Sequence, residues 1–100
     1  VKDLIDKLNK SFENRVRLGI MSALMVNDNI DYLSLKELLD VTDGNLASHI
    51  TALEKIDYIA IKKEFVGKKT RTTYVATSLG RKEFNLHLNA LEKLLKQNKK

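Results

Sequence analysis

The sequence predicts a mainly α-helical fold carrying one small β-hairpin, and three observations predict it. Within residues 34–56 two apolar stripes at helical spacing are separated by only a few polar residues. Within residues 58–76 two runs rich in β-branched and aromatic residues flank a glycine-bearing tip, and helical periodicity recurs before and after these stretches. The 100 residues suffice for one domain with a single core, near the size at which oligomerisation often supplements it. With 43% hydrophobic and 31% charged residues, no proline and four glycines, neither a disordered chain nor a fibrous repeat is indicated.

In chain order, Val1, Leu4, Ile5 and Leu8 fall at helical spacing, as do Phe12, Val16, Ile20 and Leu24. Residues 9–11 are a possible interruption, so the reading is two helices or one bent helix. Residues 14–25 are apolar on more than one side, which suits a central helix. Arg15 and Arg17 near its start read as solvated arginines. Residues 27–30, NDNI, form a turn cluster, and residues 31–33 an extended piece that can supply one sheet strand.

Ser34 is the expected cap of a helix carrying Leu35, Leu38 and Leu39, with Glu37 placed to close a capping box. Asp40, Val41 and Thr42 break the pattern. Thr42 or Asp43 then caps a second helix, about 43–55, that buries Leu46, Ile50 and Leu53. The pair reads as a helix-turn-helix. The face opposite the buried stripe carries Gly44, Ser48, Thr51 or Ala52, and Lys55, with Asn45 beside them; it has almost no bulk. Such a face suits entry into a DNA major groove, which just admits a helix, so Thr42, Gly44, Asn45, Ser48, Thr51 and Lys55 are candidate DNA contacts. His49 falls at the edge of the buried stripe and reads as a packed histidine with one hydrogen bond.

Asp57 stands where a glycine would normally end such a helix in the left-handed conformation. Residues 58–65 and 70–76 read as antiparallel strands joined by a tip at residues 66–69, where Gly67 supplies the unusual backbone angle. Lys62, Lys63, Lys68, Lys69 and Arg71, offset only by Glu64, put a net +4 on residues 62–71, and Lys68, Lys69 and Arg71 are candidate phosphate contacts. Thr77 or Ser78 caps a last helix, about 78–96, carrying Phe84, Leu88, Leu91 and Leu95 at the spacing of a heptad seam widened by Leu94. Phe84 is expected to cover the core of its own chain. Leu88, Leu91 and Leu95, with Leu4 and Leu8 of the N-terminal stripe packed against that seam, are the expected dimer interface. Residues 96–100 are expected to fray.

The net charge of +5 is uneven: residues 1–60 carry seven Lys/Arg against ten Asp/Glu, residues 61–100 eleven against three. The C-terminal part thus supplies a positive field suited to a polyanion. An enzyme is not expected, since the only histidines are His49 and His87, cysteine is absent, and no nucleophile with a base and no zinc-spaced ligand cluster occurs. Residues 67–70, GKKT, lack the earlier glycine and the strand-to-helix setting of a phosphate-binding loop. No cofactor, metal or membrane partner is expected, and a small-molecule effector is neither supported nor removed. The longest apolar run is far short of the roughly 20 residues that span a bilayer. The charged first eight residues do not resemble a signal peptide, which with the absence of cysteine favours the cytoplasm.

The order of elements is that of a winged helix, and three stretches, NRVRLGIMSAL, VTDGNLASHITALEKIDYI and FVGKKTRTTYVATSLGRKEF, resemble the small single-domain MarR- and ArsR-type regulators. The resemblance covers about residues 14–95, and residues 1–100 are expected to form one winged helix-turn-helix domain; the resemblance implies its second motif helix in the major groove, its basic wing on the backbone or minor groove, and terminal helices (about 1–12 and 78–96) making a two-fold dimer. It implies a sequence-specific transcriptional regulator whose partners are double-stranded DNA and a second copy of itself. Against the family pattern, Ala47 and Ser48 replace a serine and a basic residue before His49, Asp57 replaces glycine, and Thr70 and Ser78 replace prolines. With no lysine beside His49, more of the phosphate attraction falls to the wing. The alternative is a winged helix serving protein interaction or assembly without specific DNA binding.

Overall fold

A computed structural model describes residues 1–97. A short helix α1 (Lys2–Asp6) leads through one 3-10 turn (Lys10–Phe12) into α2 (Arg15–Val26). Then come β1 (Ile30–Asp31), α3 (Tyr32–Leu39), α4 (Asp43–Lys55), β2 (Ile59–Val66), β3 (Lys69–Ala76) and the long α5 (Ser78–Gln97). The N-terminal periodicity is therefore two helices. Asn9 caps the 3-10 turn by accepting from the Ser11 amide, and Asn14 caps α2 by accepting from the amides of Val16 and Arg17.

Helix α2 is the axle of the core. Ile20, Met21, Ala23 and Leu24 are buried on it, and around them gather Phe12, Ile30, Leu35, Leu46, Ile50, Leu53, Ile59 and Phe84. Its apolar sides face α3, α4 and β3, which explains why its periodicity is broad rather than a single stripe. The C-terminal end of α2 leaves carbonyls that no helical amide can reach. Arg81 of α5 supplies the donors, with Nη1 to Met25 O at 3.3 Å and Nη2 to Leu24 O at 3.2 Å.

Two expectations about the first motif helix are corrected. Asp31, not Ser34, is the cap: its carboxylate accepts from the Ser34 amide at 2.8 Å, so the helix starts at Tyr32 and Ser34 lies in its first turn, without the capping box to Glu37. Aspartate caps as well as serine does, and the earlier start adds part of a turn. The bond to Ser34 and then the nearby Arg71 guanidinium hold the Asp31 carboxyl below the ordinary carboxylate range. The extended piece accordingly shrinks to Ile30 and Asp31, paired with Tyr74 and Thr73. Leu35 is fully buried and Leu39 packs on the core, but Leu38 is 64% exposed, because it turns toward a side of α3 that none of the described elements covers.

The sheet has the order β1-β3-β2, all antiparallel, with Ile59 opposite Ala76 and Val66 opposite Lys69. Gly67, at φ 66°, turns the hairpin at the expected place. Asp57, at φ 62°, adopts the left-handed conformation expected where α4 ends. Thr77 caps α5 by accepting from the Gly80 amide at 2.9 Å. Helix α5 continues to Gln97, and residues 98–100 of the stretch expected to fray lie outside the described residues.

Candidate nucleic-acid interface

Helices α3 and α4 are joined by three residues, and local contacts fix their angle. Asp40 at φ 51° ends α3, and the Val41 amide donates back to Lys36 O. Thr42 is the cap of α4, its Oγ1 accepting from the Asn45 amide at 3.3 Å. Lys36 Nζ lies 3.1 Å from the Asp43 carboxylate, and the Tyr32 hydroxyl donates to Asp43 O at 3.0 Å. The start of α4 is thus tied to α3 by a charge pair and a hydrogen bond, both on the surface and individually modest.

The buried stripe of α4 is Leu46, Ile50 and Leu53, as expected from spacing. Thr42, Gly44, Asn45, Ser48, Thr51 and Lys55 are all exposed, and Gly44, Ser48, Thr51 and Lys55 line the face opposite that stripe. A Cβ built on Gly44 would meet nothing within 4 Å, so no neighbouring element of the chain occupies this face at its first turn. His49 packs at the stripe's edge, and its Nδ1 accepts from Arg17 Nε at 3.1 Å. Arg17 is therefore engaged by the motif helix instead of being free in solvent. This contact was missed in sequence because residues 17 and 49 are linked only by the crossing of α2 and α4.

On the hairpin, residues directly opposite share a face. Ile59, Ile61, Lys63 and Phe65 lie with Ala76, Tyr74, Thr72 and Thr70, while Lys62, Glu64 and Val66 lie with Thr73, Arg71 and Lys69. The first face is the core side at its root, where Ile59 is buried and Tyr74 packs on the core. There it borders α4: burial first, then the Glu54 carboxylate and Tyr32, push the Tyr74 phenol up. Lys68, Lys69 and Arg71 are exposed. Arg71 is not fully free, since its Nη2 lies 3.7 Å from Asp31. Among the described residues Lys62, Lys63, Lys68 and Lys69 make no ion pair.

The terminal helices are arranged differently from the expected seam. Helix α1 packs on α5, but the residues α5 buries within its own chain are Gly80, Phe84, His87 and Ala90. Phe84 covers the core as expected, edge-on to Phe12 at 5.1 Å. Leu4 is 8% exposed and so already covered by its own chain, and Leu8 is half-buried. Leu88, Leu91 and Leu95 stay on the surface at 43%, 39% and 75% exposure.

His87 and Asn9 form a junction that periodicity does not reveal. The Asn9 amide donates to His87 Nδ1 at 3.0 Å, and Asn9 Nδ2 donates to the Tyr58 hydroxyl at 2.8 Å. One asparagine thereby joins α5 to the turn after α4. An imidazole whose Nδ1 accepts is neutral, and burial lowers its pKa from 6.5, only partly opposed by the Glu13 carboxylate. The unfolded chain therefore binds more protons at this site. Stability is complete above about pH 6.5 and declines as the pH falls below it. Urea unfolding at pH 7.5 and pH 5 should show this decline, and His87→Gln should reduce it; an identical pH dependence in the variant would remove His87 as its source.

No group of three or more His, Cys, Asp or Glu is placed to hold a metal, and no helix is long and apolar enough to cross a membrane, among the described residues. The family model of the winged helix DNA-binding domain matches residues 16–95, and the chain belongs to that family. It is 31% identical over 87 residues to an uncharacterized protein of Methanocaldococcus jannaschii, covering 87% of this chain and 95% of that one. Among solved structures, a transcriptional regulator homologue from Pyrococcus horikoshii OT3 superposes with a TM-score of 0.82 at 29% identity, over 96% of this chain and 93% of that one. A chain from Porphyromonas gingivalis W83 assigned to the MarR family matches with a TM-score of 0.67 over 90% and 86% of the two chains; at 21% identity the likeness is one of fold. The likeness covers the whole arrangement of helices and wing, the winged helix-turn-helix fold expected from the sequence.

Proposed function

We propose that the protein is a dimeric, sequence-specific DNA-binding regulator of transcription, acting in the cytoplasm and without catalysis. Helix α4 enters the major groove and presents Thr42, Gly44, Asn45, Ser48, Thr51 and Lys55. The β2–β3 wing lays Lys68, Lys69 and Arg71 against the backbone or minor groove. Leu88, Leu91 and Leu95, with Leu4 of α1 and Leu8 just beyond it supporting, join two copies of the domain formed by residues 1–100. The observation that carries this reading is the pairing of a bare, low-bulk face on α4 with a hairpin of net +4 whose root residue Ile59 is buried in one core with Leu46, Ile50 and Leu53 of the same helix. A winged helix serving protein assembly alone would leave that charge without a partner.

The wing provides the test. Changing Lys68, Lys69 and Arg71 together to alanine should weaken binding to all duplexes alike and shallow the log-affinity against log-salt slope by about 0.9 per lost phosphate contact. Because Asp31 already holds part of the Arg71 charge, the total change should fall short of three full contacts. Filter binding with random genomic fragments measures it, and an unchanged slope would take the wing out of the interface.

A further inference from the structure

Phe65 is 83% exposed, and no contact among the described residues explains why a phenyl ring stands there. Along its face of β2 the side chains emerge progressively from the core, from Ile59 at 2% through Ile61 at 45% to Phe65, about 13 Å beyond Ile61 at ordinary strand rise. Phe65 lies one residue before Val66, the last residue of β2 ahead of the Gly67 turn. Lys63 shares its face, Lys68 lies in the turn and Lys69 opens β3, and at its root the face carries Ile59, buried in one cluster with Leu46, Ile50 and Leu53 of α4. Two such tips, each ringed by lysines, would repel one another, so a second copy of this hairpin is a poor cover for the ring. A polyanion with an apolar interior fits both features.

We propose that Phe65 is an apolar wedge that enters the DNA minor groove and inserts against a base step while the surrounding lysines hold the flanking phosphates. The inference rests on the DNA-binding reading above and adds to it a way of reading sequence. Wedges of this kind partly unstack a step, and the cost of unstacking differs among steps, so Phe65 selects deformable pyrimidine–purine sequence without hydrogen bonds to bases. The ring carries no charge, so its contribution is separable from that of the lysines by salt dependence.

The chain contains no tryptophan, so Phe65→Trp places a single reporter at the tip. With a pool of random-sequence 30-base-pair duplexes as probe, the emission of Phe65→Trp should be quenched on binding, and netropsin, which fills the minor groove, should reverse the quench. Phe65→Ala should fold and melt as the wild type does, since the side chain touches little. It should bind the same pool about tenfold or more weakly with an unchanged salt slope, in line with the loss of one stacked aromatic. Phe65→Ala binding equal to wild type, or a quench untouched by netropsin, overturns the wedge while leaving the DNA reading intact. Wild type that retains no duplex overturns both. Emission of Phe65→Trp that ignores DNA but shifts to the blue on phosphatidylserine vesicles overturns the wedge in favour of a lipid surface.

Discussion

Replacing Gly80 with alanine is expected to lower the melting temperature by about 10 °C or more. In an exposed helix the same exchange stabilises by up to about 1 kcal/mol, because alanine loses less backbone freedom. At Gly80 the sign reverses. A Cβ there would overlap the Tyr58 carbonyl oxygen and lie 2.8 Å from the Tyr58 carbonyl carbon. These are backbone atoms that cannot swing aside. That carbonyl is also fixed by the Thr77 amide at 3.0 Å, while Thr77 Oγ1 donates to Asp57 O at 2.6 Å. Making room separates the start of α5 from the turn after α4, so overpacking of about 3 kcal/mol outweighs the gain in propensity. For a chain of this size each kcal/mol shifts the midpoint by about 4–8 °C. Gly44→Ala is the internal comparison, since its Cβ meets nothing and its stability should hold or rise. Calorimetry on both variants checks the account, and equal melting of wild type and Gly80→Ala would contradict the close approach.

Gly80 shows where the sequence stops being legible. Elements whose signal is periodic or local could be read directly: the Leu46, Ile50 and Leu53 stripe, the Thr42 cap, the left-handed Asp57 and the Gly67 turn each depend on neighbours within a few residues. Ser34 misled because two good capping residues stand three apart, and the choice between them depends on where β1 pairs with β3. Arg17 with His49, Arg81 with the end of α2, and Asn9 between His87 and Tyr58 are contacts across 32 to 78 residues. No spacing rule announces them. For the proposed site, composition located the basic hairpin and the alternation of residues 58–65 already puts Lys63 and Phe65 on one face, but only the fold pairs that face with Tyr74, Thr72 and Thr70 and roots it in the core beside α4.

The remaining large effect concerns assembly. Leu88, Leu91 and Leu95 keep roughly half their surface in water, so completing their burial contributes about 1 kcal/mol each. Counted from both copies of a two-fold interface, that only reaches the lower part of the roughly 4–15 kcal/mol that association costs. The exposed Val1 at the start of α1 and Ile5 within it, together with half-buried Leu8, must therefore join the contact for a dimer to persist at micromolar concentration. Leu91→Glu combined with Leu95→Glu should leave a folded protomer, because both side chains point outward from it. The same carboxylates would be buried without partners in the dimer, a cost of several kcal/mol that abolishes it. Sedimentation should give about twice 11.4 kDa for wild type and a single chain for the double variant.

In the proposed dimer the two α4 helices would face successive turns of a duplex, about 34–36 Å apart. Selection of duplexes from a random-sequence pool by the wild-type protein therefore tests the account most directly. The account predicts an enriched site with two inverted half-sites centred about one helical turn apart, lost in the Leu91→Glu and Leu95→Glu double variant. A pool that enriches no sequence, or a lone half-site bound equally by wild type and double variant, would contradict it.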